Sequence, residues 1–169
     1  PLWHFQQPTV RTMPGKGIRK LAKLVRKTDD LLTDLHALSQ AILRAAPYDK
    51  SATVAGTPAE EALSAGGGVC QDHAQMFISA ARLADVPARY VSGYLMMNDR
   101  VDQDASHAWA EAHIDGLGWV GFDVSNGISP DERYIKLAMG LDSRDAAPLI
   151  GMRQGASSES MIVSLQVQQ

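Results

Sequence analysis

Between residues 16 and 46 the apolar residues recur at helical spacing. Ile18, Leu21, Leu24 and Val25 form one stripe, and Leu31, Leu32, Leu35, Leu38, Ile42 and Leu43 form a second. The polar run Thr28-Asp29-Asp30 predicts a break between two helices and a cap for the second. Residues 47–56, PYDKSATVAG, carry no period and predict a loop. Thr57-Pro58-Ala59-Glu60 has the form of a capping box with proline at the first helical position, opening a short helix that stops at Ala65-Gly66. Gly66 to Gly68 predict a tight turn, and the alanine-rich run after Val69 predicts a helix over 70–84 that begins on Cys70. Beyond Pro87 the period shortens to two. ARYVSGYLMM, HAWAEAHI and GWVGFDVS predict three strands, and YIKLAMG and MIVSLQV two more. Asp115-Gly116 marks a hairpin turn between HAWAEAHI and GWVGFDVS. In HAWAEAHI, Trp109, Glu111 and His113 share the His107 face, while Ala108, Ala110, Ala112 and Ile114 line the other. Helices followed by strands predict an α+β domain, with an antiparallel sheet packed on the cysteine helix.

Composition narrows the picture. The chain has 169 residues, 45% of them hydrophobic and 21% charged, which suits a single domain with a real core. A net charge of -3 advertises no surface for nucleic acid. Lysine and arginine do cluster in GKGIRKLAKLVRK, residues 15–27, where the helical stripe makes a solvated basic face a better reading than a membrane or nucleic-acid patch. No apolar stretch has the length of a membrane span and no signal-peptide pattern opens the chain, so no membrane partner is expected. The unpaired thiol points to a reducing, cytoplasmic compartment. A start at Pro1 rather than Met leads to the expectation that the sequence is a fragment of a longer protein.

The chain has one cysteine, Cys70. It can form no internal disulfide and cannot by itself supply a multi-cysteine metal site. At a helix start it meets the positive end of the helix dipole and free backbone N–H groups, which favour thiolate and can later bind an oxyanion. His107, at a strand start, can face that helix terminus as a base. Asp115 stands midway between His107 and Asp123, so a hairpin about Asp115-Gly116 predicts that the two partners pair across neighbouring strands.

Each of these residues has a plainer reading. A lone cysteine in an alanine-rich helix is usually a small buried hydrophobe, and a lone histidine or aspartate on a strand is usually structural. The three glycines form no phosphate cradle, because no Lys-Ser/Thr follows them. Asp72 is expected to cap or charge the helix start and Gln71 to be scaffold. His73 shares a helix face with Cys70, where it would tune the thiol, compete as base, sit behind the site or lie exposed. Trp109 and Trp119 are expected to pack near the site, and Arg89 and Tyr90 to brace the sheet. A mixed metal site of Cys70, His73, His107 and Asp123 is the minor alternative. No calcium-loop pattern is present, so no calcium dependence is expected.

Three ordered blocks carry a resemblance: GGGVCQDHAQMF, ADVPARYVSGYL and SHAWAEAHIDGLGWVGFD. Together they resemble the bacterial transglutaminase-like domain, a family of the papain-like cysteine peptidase fold, over roughly residues 30–169. The resemblance implies that residues 1–169 form a single transglutaminase-like core, without the β-rich domain that bacterial members often carry before it. It implies Cys70 as nucleophile, His107 as general base and acid, and Asp123 as the residue that orients the imidazole. It implies no cofactor. The implied reaction is acyl transfer from a glutamine side chain or peptide bond of a protein or peptide, through a thioester, to water or a primary amine. Tyr48 is the candidate for a second oxyanion donor beside the Cys70 N–H. The alternative is a catalytically inactive papain-like domain used for binding or assembly. Two departures from the family pattern stand out: Asp123-Val124-Ser125-Asn126 where Asp-Pro-Thr-Asn is usual, and Gly140-Leu141-Asp142 where Gly-Arg-Asp is common.

Overall fold

A computed structural model describes residues 1–26, 30–96 and 106–148. The expected strand MIVSLQV lies outside the described residues, as do Thr28, Asp29 and Met97.

Among the described residues a short 3-10 turn, Leu2–Gln6, precedes four helices: α1 (Lys16–Ala22), α2 (Leu31–Ala45), α3 (Ala59–Ala65) and α4 (Cys70–Leu83). Four strands follow among the same residues: β1 (Ala88–Leu95), β2 (His107–Ile114), β3 (Gly118–Phe122) and β4 (Tyr134–Gly140). They form one antiparallel sheet in the order β3-β2-β1-β4, as the α+β reading expects. Asp30 caps α2, its carboxylate accepting the Thr33 N–H at 3.0 Å.

The expected capping box at α3 does not form. Pro58 is itself the N-cap, and Thr57 turns back to hydrogen-bond the Val54 backbone. Glu60 points away from its own helix and accepts the N–H groups of Gly17 at 2.7 Å and Ile18 at 2.9 Å. The reason lies in α1, whose N-cap Gly15 has no side chain to offer. A charged acceptor from α3 satisfies those orphan donors instead. Gly66 closes α3 at φ +74, the left-handed conformation that favours glycine.

α4 is the central element, buried from Asp72 through Arg82. Ala108, Ala110 and Ala112 on β2 are small enough for the helix to approach the sheet closely, and Phe77 stacks on Phe122 at 4.8 Å between centroids. Ile18, Leu35, Leu38 and Ile42 complete the core from α1 and α2.

The β2–β3 hairpin corrects one expectation. Ile114 pairs with Gly118 and Ala110 with Phe122, so the loop is Asp115-Gly116-Leu117 and its midpoint is Gly116, not Asp115. Gly116 and Gly118, at φ +82 and +79, supply the left-handed residues that this three-residue loop uses. Continuing the register places Asp123 across from Trp109, not His107. Both residues still share one face of the sheet, and they meet diagonally.

Arg82 fastens the periphery to this core. Its buried guanidinium donates to the carbonyls of Phe5, Gln7, Ala88 and Leu141, at 2.8 to 3.0 Å. Burial lowers its pKa to about 10, opposed by the charges of Asp142 and Asp145, so it remains a cation at neutral pH. This holds the Gly140-Leu141-Asp142 departure in place; Asp142 accepts the N–H groups of Arg144 and Asp145 rather than meeting the site.

Candidate active site

Cys70 is the first residue of α4 and is half-buried. Its helix start is rigidly built. The fully buried Asp72 accepts the Val69 N–H at 2.9 Å and the Thr53 hydroxyl at 2.6 Å, the scaffold role expected of it. Gly68 lets the chain pass close by: a Cβ there would stand 2.9 Å from the Asp72 side chain. On its other side Gly68 donates to the Pro47 carbonyl and accepts from the Asp49 N–H. That parallel bridge brings the Tyr48 loop alongside the residues leading into Cys70. Tyr48 is half exposed; burial, then the charge of Cys70, raises its phenol pKa and keeps it a donor. Gln71 sits half-buried in the same helical turn.

His107 opens β2. Its Nε2–H donates to Asp123 Oδ2 at 2.6 Å, which leaves Nδ1 for Cys70, whose side chain is close enough to act on the charge of the ring. Burial is the largest influence on this imidazole and acts to lower its pKa. The hydrogen bonds and charges of Asp123 and Cys70 together outweigh burial and raise it to about 9.

Asp123 follows β3 and is fully buried. Its Oδ2 accepts from three donors: His107, Asn126 Nδ2 at 2.7 Å and the Tyr134 hydroxyl at 2.7 Å. Its Oδ1 accepts the Asn126 N–H at 3.2 Å. Burial works to raise this carboxyl, but the His107, Tyr134 and Asn126 bonds bring it below the ordinary value, so it stays ionised.

His73 neither competes as base nor lies exposed. Its Nε2–H donates to the Ala46 carbonyl at 2.7 Å, and Nδ1 accepts the Ser125 hydroxyl at 2.8 Å. Burial lowers its pKa and keeps the ring neutral. It ties α4 to the end of α2 and to the loop after Asp123. The Ser125 departure thus still supplies a hydroxyl, and Asn126 is present to grip Asp123. With both His73 nitrogens taken, the mixed metal set cannot assemble.

Trp109 packs as expected, stacked near His107 at 6.3 Å between centroids. Arg89 braces the sheet through Glu111 at 2.7 Å and lies 4.1 Å over the Trp119 ring, while Tyr90 is buried on the face toward α4. Asn126 and Tyr134 are the site residues that sequence reasoning missed. Asn126 carried a signal, as the closing residue of the family's aspartate block. Tyr134 carried none, because its place depends on which strand β4 joins. A separate cleft of about 740 Å³ opens at the far end of α4, between Leu31, Asp85, Pro87, His113 and Leu117; none of the site side chains lines it.

A thiol at the start of a helix, packed on an antiparallel sheet that brings an imidazole at a strand start to a buried carboxylate, defines a fold of the papain-like class. The chain belongs to the transglutaminase-like superfamily, whose family model matches residues 19–124. The match begins earlier and ends earlier than the span of the sequence resemblance. An uncharacterised protein of Mycobacterium leprae is 28% identical over 166 residues, covering 95% of this chain and 59% of that protein. An uncharacterised protein of Mycobacterium tuberculosis is 36% identical over 142 residues, covering 78% of this chain and 45% of that protein. The crystal structure of a proposed cysteine protease from Cytophaga hutchinsonii superposes with a TM-score of 0.73 at 30% identity, covering 86% of this chain and 49% of that one. The periplasmic domain of TgpA from Pseudomonas aeruginosa, bound to ethylmercury, shares the fold, with a TM-score of 0.55 at 23% identity over 75% of this chain and 49% of that one. Among the described residues no helix is long and apolar enough to cross a membrane.

Proposed function

We propose that this domain is a cysteine acyltransferase or hydrolase acting on protein or peptide amides through a thioester on Cys70. The observation that carries the reading is the 2.6 Å bond from His107 Nε2 to Asp123 Oδ2, beside a Cys70 side chain at the start of α4 that acts on the same imidazole. The Cys70 thiolate adds to the carbonyl carbon of a glutamine side chain or peptide bond. The oxyanion accepts the Cys70 backbone N–H, one of the unpaired donors of a helix start, and the Tyr48 phenol. As the C–N bond breaks, the leaving amine takes the proton from His107 Nδ1, and the thioester remains. Water or a primary amine then gives a proton back to Nδ1 as it attacks, and collapse expels the thiolate. Asp123 keeps the imidazole oriented and balances its charge throughout. The name given to the Cytophaga hutchinsonii relative supports a peptide or protein substrate for this chain.

The test is incubation with glutamine-containing proteins and peptides, with and without a labelled primary amine, read by mass spectrometry. Amine incorporation, deamidation or backbone cleavage that disappears in Cys70→Ser supports the reading. No product from the folded wild-type domain, with Cys70 unreactive toward alkylation, replaces it with an inactive binding domain.

A further inference from the structure

β4 is not a neighbour of β2, because β1 runs between them. Tyr134, at the start of β4, nevertheless places its hydroxyl 2.7 Å from Asp123 Oδ2. Gly93 makes this reach possible. It pairs with His107 on one side and with Lys136 on the other, where β4 bulges by one extra residue, Leu137, opposite the Ser92-Gly93 step of β1. A Cβ at Gly93 would overlap the Ile135 carbonyl and stand 2.9 Å from the Trp109 ring. Through the gap left by the missing side chain, Trp109 and Tyr134 meet edge to face, with centroids 5.4 Å apart and planes at 85°. The Tyr134 ring lies 5.9 Å from that of His107. Tyr134 also lies beyond the residues that the family model matches.

We propose that Tyr134 is a positioning residue for the Cys70–His107 pair: its hydroxyl, carried across Gly93, holds the Asp123 carboxylate and competes with His107 for Oδ2. The proposal rests on the reading of Cys70 and His107 as the reactive pair. Three donors on one oxygen divide its charge, so each bond is weaker than it would be alone. The groups that face His107 are Cys70 from α4, Asp123 with Asn126 from the loop after β3, and Tyr134 from β4. His73 and Asp131 are the next titratable groups, acting on Asp123 and Tyr134. Burial and then the bond to Asp123 raise the Tyr134 pKa, so the phenol keeps its proton and donates across the working range.

Tyr134→Phe removes the donor and keeps the ring. Oδ2 is then freer to hold the His107 imidazolium, and the His107 titration is expected to move up by about half a pH unit. The readout is the His107 ring resonance followed by NMR through pH 5 to 11, assigned by its loss in His107→Gln. Tyr134→Leu, which removes the ring as well, separates packing from hydrogen bonding. A Phe-variant titration that superimposes on wild type, or moves down, overturns the proposal; a shift in Leu alone assigns Tyr134 to packing. The ring is observed whether or not Cys70 attacks anything. Absence of acyl transfer therefore removes the proposed function without altering this comparison.

Discussion

Asp123 Oδ2 and His107 Nε2 meet at 2.6 Å on a diagonal of the sheet, because the register of the hairpin sets Asp123 across from Trp109. The diagonal works because a shift of two residues keeps both side chains on one face, whereas a shift of one would turn Asp123 to the other face. The contact thus depends on the loop Asp115-Gly116-Leu117 having three residues.

That contact makes stability depend on pH in a definite direction. His107 is raised from 6.5 to about 9 on folding, so its contribution is fully present below pH 6.5 and is lost as pH rises through about 9. The contribution is on the order of 3 kcal/mol. Asp123 is lowered on folding, so its share is present above 3.8 and is lost as pH falls through its depressed value. Urea denaturation at pH 6 and pH 10 should show a loss of stability at the higher pH that is much smaller in His107→Gln. Equal losses in the two proteins would place the alkaline transition elsewhere.

The Ser125–His73 bond should matter for folding and for the site together. Ser125→Ala leaves His73 Nδ1 buried without its donor, a cost of about 1–3 kcal/mol. Because the next residue, Asn126, holds Asp123, Cys70 alkylation should also slow, by several-fold at neutral pH. Thermal melts and alkylation rates measured on the same preparation check both. An unchanged melting temperature would mean that the bond contributes nothing.

Much of the fold was legible because its signals are local. The two-residue period of HAWAEAHI assigned its faces, and the alanine-rich run after Val69 marked α4 and put Cys70 at its start. Cys70, His107 and Asp123 were legible as candidates because they lie at element ends that a helix packed on a hairpin brings together. What was not legible depends on partners remote in sequence. Glu60 looked like the end of its own capping box, but Gly15 left donors that it serves instead. The hairpin midpoint was misplaced by one residue because Asp115-Gly116 is a two-residue signal inside a three-residue loop. Tyr134 could be found only once β4 was known to lie beside β1, with Gly93 between it and His107.

Arg82 is the member whose loss should cost stability without touching chemistry. Arg82→Met keeps the apolar stem and leaves the carbonyls of Phe5, Gln7, Ala88 and Leu141 without their donor. Destabilisation of about 3 kcal/mol or more is expected. The alkylation rate of Cys70 in the fraction still folded should remain within about twofold of wild type. A melt indistinguishable from wild type would show that the carbonyls find other partners.

The most direct test of Cys70 and His107 as a working pair is the rate at which iodoacetamide alkylates Cys70 at neutral pH, in wild type, His107→Ala and Asp123→Asn. Labelling should be fast in wild type, slower by at least about tenfold in His107→Ala, and intermediate in Asp123→Asn, where the imidazole loses its charged anchor. Slow labelling in all three, with no dependence on His107, would contradict the pairing and leave Cys70 an ordinary thiol at the start of a helix.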